Sequence, residues 1–179
     1  MKKKTTIFCI TLCVLLCAIL LNGCVLGNLN QVEKTIYSED GLFSVTIPKG
    51  WVEVNDYSLN DIADLQALKR LGNQYFAALI EHKDDLEFTF DEWMEYVVEN
   101  YLAAFEEVNI SDGNEILING LPAMQFEIKG TMDHVKVVIL ATYVEGENHF
   151  AQILAWTLAS KYTSSVDDLK SITNSIKGI

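Results

Sequence analysis

Basic side chains are scarce: 13 lysines and arginines stand against 25 aspartates and glutamates in 179 residues, a net charge of −12. That balance excludes a nucleic-acid binder that works by neutralising phosphates. Proline occurs twice and histidine three times. Half of the chain is apolar, so general disorder and low-complexity or collagen-like classes are excluded. Cysteine is confined to Cys9, Cys13, Cys17 and Cys24. If the chain is cut before Cys24, one thiol remains, which excludes an intramolecular disulfide, thiol redox chemistry and a cysteine-rich zinc site. There is no GxSxG, no phosphate-cradling glycine loop and no HExxH, and Asp112-Gly113-Asn114-Glu115 lacks the other ligand positions of a calcium loop.

The N-terminus holds what the rest lacks. Lys2, Lys3 and Lys4 precede an almost unbroken apolar run from Ile7 to Leu21, then Asn22, Gly23 and Cys24. Positive, then apolar, then small is the order of an export signal. As a helix the run reaches about 22 Å, short of the roughly 30 Å hydrocarbon core of a bilayer. Leu21-Asn22-Gly23-Cys24 resembles a bacterial lipobox, in which cleavage falls between the glycine and the cysteine. The cysteine sulfur is the nucleophile that takes a diacylglycerol, and the small residue before it lets the peptidase reach the bond. The expectation is a lipoprotein signal over 1–23, a lipidated tether over 24–35 and a folded domain over 36–179. Cys24 would carry the lipid, including acyl chains such as palmitate, and no other cofactor is expected. Two acyl chains, at about 0.8 kcal/mol per buried methylene, hold a protein on a membrane durably. The protein is therefore expected outside the cytosol, on the outer face of the cell membrane. In a two-membrane cell Val25, which is not an aspartate, would permit transfer to the outer membrane.

Once the signal leaves, ten basic and 25 acidic residues remain, a net charge of −15. Phe43, Val45 and Ile47 alternate with Ser44 and Thr46, a half-buried strand broken by Pro48-Lys49-Gly50 before Trp51. Ile62, Leu65, Leu68 and Leu71 recur every three residues, which predicts a helix over 61–71 ended by Gly72. Tyr75 to Ile80 is a short apolar run that fits a buried strand, with periodicity alone also compatible with a helix. The clearest helix spans about 90–105, with Trp93, Met94, Val97, Val98, Tyr101, Leu102 and Phe105 in one broad stripe and Thr89 with Glu92 at capping-box spacing. Ile116 to Ile118 and Ala123 to Ile128 flank Asn119-Gly120, a hairpin signal because both residues tolerate positive φ. Val135 to Val144 and Phe150 to Trp156 read as long strands, and Val166, Leu169, Ile172 and Ile176 make one face of a closing helix. Hairpins of this kind point to an α+β fold, an antiparallel sheet flanked by helices.

Phe43-Ser44-Val45-Thr46-Ile47-Pro48-Lys49-Gly50-Trp51 is similar to the opening strand, corner and tryptophan of the PsbP-like superfamily. Asn119-Gly120-Leu121-Pro122-Ala123 and the closing strand, strand, helix order strengthen the likeness, which covers about residues 36–178. That superfamily includes an extrinsic subunit of photosystem II and many bacterial lipoproteins. The resemblance implies an antiparallel β-sheet sandwiched between helices, an α/β/α sandwich. It also implies a noncatalytic domain that docks on other proteins, with no shared active site to carry over.

Weaker clusters remain. Glu145, Glu147 and His149 alternate across a turn and are candidate ligands for a divalent cation, though a polar hairpin tip is the simpler reading. Glu81, His82, Asp84, Asp85 and Glu87 make an acidic loop, and Asp133-His134 a turn. Asp91, Glu92, Glu95 and Glu99 line the polar side of the long helix, a candidate docking face for a basic partner. Trp51, Trp93 and Trp156 sit in apolar patterns and read as core. The function expected is that of a membrane-anchored extracytoplasmic lipoprotein, not an enzyme, whose domain binds or assembles a protein partner. The alternative is binding of a small ligand or divalent cation.

Overall fold

A computed structural model describes residues 32–55, 59–103 and 105–179. The expected signal segment, the expected lipobox with Gly23 and Cys24, and the expected tether up to residue 31 lie outside the described residues.

The chain forms a hairpin of β1 (Lys34–Tyr37) and β2 (Ser44–Ile47), then β3 (Val52–Glu53), β4 (Leu65–Lys69) and β5 (Gln74–His82). Helix α1 (Phe90–Leu102) follows, then β6 (Glu107–Ile110), β7 (Asn114–Ile118), β8 (Leu121–Met132), β9 (Val135–Glu145), β10 (His149–Leu158) and helix α2 (Tyr162–Asn174). One antiparallel sheet runs in the order β3-β4-β5-β10-β9-β8-β6, with β7 also paired to β8. Residues 34 and 35 are thus already in β1.

Strands β9 and β10 are buried on both faces, so successive residues feed two separate cores. Leu140, Val144, Ala151, Ile153 and Ala155 face one side, where Ile36, Val45 and Ile47 of the hairpin, Trp51, and Leu169 and Ile172 of α2 close over them. Ile139, Ala141, Tyr143, Phe150, Leu154 and Trp156 face the other, under Trp93 of α1 and Leu59 and Ala63 of the β3–β4 connection. Helices therefore cover both faces of an antiparallel sheet, as expected, with the β1–β2 hairpin sharing one layer with α2. All three tryptophans are buried in these cores.

Local signals landed where short-range chemistry controls the backbone. The Thr89 N–H and Oγ1 donate to Glu92 Oε2 at 2.9 and 2.8 Å, and the Glu92 N–H donates back to Thr89 Oγ1 at 3.4 Å. This is the capping box, and it starts α1. Asn119 (φ 51°) and Gly120 (φ 88°) turn β7 into β8. Asp133 (φ 49°) and His134 (φ 65°) make the same two-residue turn into β9.

The helix expected over 61–71 is a strand. Residues Leu65–Lys69 pair with β5 through Leu65 with Ala78, Ala67 with Phe76 and Lys69 with Gln74. In a strand, a spacing of three puts Leu65 and Leu68 on opposite faces, and each joins a different core. The outer two members of the apparent helical stripe, Ile62 and Leu71, are exposed. Burial of both strand faces reproduced a helix-like leucine spacing by coincidence.

Candidate functional site

Two loops at one end of the hairpin build an acidic cleft. In the β1–β2 turn, Ser38 Oγ donates to Asp40 Oδ1 at 2.6 Å and the Leu42 N–H to the same oxygen at 2.9 Å. Those hydrogen bonds hold the Asp40 carboxyl below the usual carboxylate range. Opposite lies the segment before β4. Buried Gln66 accepts from the Leu59 and Asn60 N–H groups at 3.2 and 2.9 Å and donates to the Asn60 carbonyl at 2.7 Å. Asn60 Oδ1 then accepts from the Ile62 N–H at 2.9 Å. Asp64 is pinned to β5, its Oδ2 accepting from the Ile80 N–H at 2.8 Å. Lost contact with water raises the Asp64 pKa, partly offset by the Ile80 N–H, and the Asp40 charge raises it further.

Between the two loops lies a cleft of about 670 Å³. Glu39, Asp40, Asp61 and Asp64 line it with Tyr37 and Ile62, and no lysine, arginine or histidine among the described residues does. Sequence reasoning missed this site, because its carboxylates come from segments some twenty residues apart and one segment read as helix. The remaining signal was composition alone, acids near a turn.

The sequence-derived candidates are scattered. Glu145 pairs with Phe150 and so shares its face of the sheet, whereas His149, one residue earlier, is on the other. Glu145 accepts from Lys83 Nζ at 3.1 Å, and that ammonium sits 4.9 Å from the Phe150 ring centroid. His149 instead packs edge-on against Phe43 and against its cross-strand neighbour His82, at 5.1 and 4.8 Å between ring centroids. Among the described residues no group of three His, Cys, Asp or Glu side chains is placed to hold a metal ion. Of the residues read as an acidic loop, Glu81 and His82 instead end β5, and Glu81 accepts from the Trp93 indole N–H at 2.6 Å and so anchors α1. His82 Nδ1 accepts from the Asp84 N–H at 3.2 Å and caps a 3₁₀ turn at Lys83–Asp85. On α1, Asp91, Glu95 and Glu99 are exposed, while the Glu92 carboxylate is engaged in the capping box.

Burial first, and then the neighbouring His82, lower the His149 pKa from 6.5, against weaker opposing pulls from Asp40 and Asp64. A histidine that resists protonation only when folded takes up more protons unfolded, so stability falls as pH drops through 6.5 toward the folded-state value. We expect the melting temperature to fall between about pH 7.5 and pH 5.5 and expect His149→Phe to flatten that slope. An unchanged slope in the variant would assign the pH dependence to other groups.

No protein-family model and no curated protein sequence matches this chain. Solved structures do. The cyanobacterial PsbP protein CyanoP of Synechocystis sp. PCC 6803 superposes with a TM-score of 0.59 at 11% identity, over 88% of this chain and 98% of its own. The domain has the PsbP-like fold. LpqN, a Mycobacterium tuberculosis protein involved in cell envelope biogenesis, matches with a TM-score of 0.60 at 11% identity, over 81% of this chain and 89% of its own. A Bacteroides thetaiotaomicron structure matches at 0.58 and 10% identity over 82% of this chain, which spans about half (48%) of that longer one. In the PsbP-like domain described here, the opening corner is made by Gly50 at φ 87° and by the Trp51 N–H donating to the Pro48 carbonyl at 3.1 Å. The corner drives Trp51 into the core at 0% exposure.

Proposed function

We propose that this chain is a lipid-tethered extracytoplasmic protein whose PsbP-like domain is a noncatalytic binding module, and that the module holds a positively charged protein partner in the acidic cleft. The cleft carries the reading: four carboxylates line about 670 Å³, and among the described residues no basic side chain lines it. A cation entering it gains from all four charges, while an anionic ligand is repelled. The net charge of −15 after signal removal would steer a basic partner over roughly a Debye length, about 8 to 10 Å. The diacylglycerol on Cys24 would keep the module at the membrane, where its partner must then also lie. The envelope role stated for LpqN is in keeping with this location.

A carbodiimide joins a carboxylate directly to a lysine amine with loss of water, so treatment of intact cells reports which acids touch a partner. Crosslinked peptides should map to Glu39, Asp40, Asp61 or Asp64. Crosslinks confined to Asp91, Glu95 and Glu99 would move the site to α1 and overturn the cleft assignment. The tether is checked separately: Cys24→Ser should abolish incorporation of labelled fatty acid, and a variant that still takes up label would remove the proposed anchor.

A further inference from the structure

The β1–β2 hairpin is a two-stranded sheet whose two edges are treated differently. Its register pairs Lys34 with Ile47, Thr35 with Thr46, Ile36 with Val45 and Tyr37 with Ser44. The Ser38 N–H donates to the Phe43 carbonyl at 3.0 Å, which sets the phase of the ladder. Backbone groups alternate in direction along an antiparallel strand. Those of Lys34, Ile36 and Ser38 therefore meet β2, and those of Thr35 and Tyr37 point outward.

By the same alternation, Ser44 and Thr46 point away from β1 on the far edge, and there they are satisfied. Ser44 exchanges both backbone bonds with Lys177, at 3.0 and 2.8 Å. The Thr46 N–H donates to Ser175 Oγ at 3.0 Å, and that hydroxyl lies 3.0 Å from the Thr46 carbonyl oxygen. The C-terminal segment thus closes the β2 edge with one isolated bridge and one serine side chain. On the β1 edge no strand among the described residues takes that place. Thr35 and Tyr37 are both exposed, and among the described residues their two N–H and two C=O groups meet no strand, which leaves a template for another extended chain.

What surrounds this edge specifies the chain that fits it. Lys34 is held by Glu53 at 2.6 Å, so the strand's own positive charge is already answered. Beyond Tyr37 the backbone runs directly into Glu39 and Asp40, one wall of the cleft, with Asp61 and Asp64 opposite. An anionic or neutral strand laid along β1 would meet these carboxylates unanswered, whereas lysine or arginine side chains answer them.

We propose that the outer edge of β1 pairs with an extended, basic segment of the partner protein, which adds a strand through Thr35 and Tyr37 while its lysine or arginine side chains reach Asp40, Asp61 and Asp64. This rests on the reading of the cleft as the site for a cationic partner and adds the backbone contact that orients it.

The test uses the full chain and fluorescence anisotropy with a labelled short peptide of alternating lysine and valine. Two further versions carry N-methyl groups on alternate amides in opposite phases. The lysine peptide should bind and its glutamate counterpart should not. One N-methylated phase should bind at least about tenfold more weakly, because its methyls block the bonds to Thr35 and Tyr37, and the other should bind like the parent. Thr35→Pro removes an outward N–H that β2 does not use, so it should weaken binding about tenfold with little change in melting temperature. Hydrogen exchange over 34–38 should slow when peptide is bound. Equal affinity of both N-methylated phases, with binding still lost in Asp40→Asn/Asp61→Asn, would overturn strand pairing and leave the cleft reading standing. Failure of the lysine peptide to bind at all would overturn both. The peptide comparison needs no altered protein, so it decides the matter even if a variant fails to fold.

Discussion

Trp51→Ala is expected to destabilise the domain by about 3 to 5 kcal/mol, the cost of removing a large aromatic side chain from a packed core and leaving a cavity. Trp51 is 0% exposed and shares one core with Ile36 and Val45 of the hairpin, Leu65 and Ala67 of β4, and Leu169 of α2. It sits where the chain leaves β2 for β3, so it ties the hairpin to the sheet. For a domain whose total stability is on the order of 5 to 15 kcal/mol, the loss should lower the melting temperature by roughly 10 °C. Because the hairpin carries Glu39 and Asp40 into the cleft, binding of a basic peptide should weaken as well. Trp51→Phe is the informative control. The indole N–H is buried with no hydrogen-bond partner among the described residues, so the exchange deletes volume and also an unsatisfied donor. It should cost only about 1 to 2 kcal/mol. Urea denaturation measures both variants, and equal losses would show that packing at this corner is not what holds the hairpin.

Gln66→Ala should have the second large effect, about 2 to 4 kcal/mol by chemical denaturation. The side chain is 4% exposed and, among the described residues, is the side-chain partner of three backbone groups, the N–H of Leu59 and Asn60 and the carbonyl of Asn60. Truncation leaves all three to find water at the edge of a core, and unmade bonds of this kind cost more than made ones contribute. The segment from Leu59 to Asp64 should loosen with it, and faster hydrogen exchange over 59–64 would show this directly. Gln66→Glu keeps the acceptor oxygens but loses the donor to Asn60 and buries a carboxyl group. Burial raises the folded-state pKa of such a group, so the folded form binds its proton more readily, and this variant should gain stability as pH falls toward the unfolded carboxyl range. A Gln66→Ala protein as stable as the parent, with unchanged exchange at 59–64, would remove Gln66 as the brace of that wall.

Much of the frame was legible in the residues. The capping box of Thr89 and Glu92, the Asn119-Gly120 turn, the alternation of Phe43, Val45 and Ile47, and the long β-branched strands β9 and β10 each act within a few residues of chain. Their outcome depends on local sterics, short hydrogen bonds and periodicity, and these survive in almost any tertiary setting. The edge strand β6 escaped notice for the opposite reason. Glu107, Val108 and Asn109 are exposed, so no buried alternation marks them, and only pairing with β8 makes them a strand.

From the sequence alone followed an antiparallel sheet with helices, three tryptophans in the core, and a strong acidic excess. The tertiary structure decided that Leu65 and Leu68 face opposite sides of a strand and that Glu145 and His149 are divided by the sheet. It also brought Asp40 and Asp64 to one cleft and left one edge of β1 open. Each of these turns on which residues lie opposite one another across a ladder. A shift of one residue in that register exchanges the two faces of a strand; alternation and turn type set it where one face is buried, but a strand apolar on both faces, such as β4, carries no such alternation.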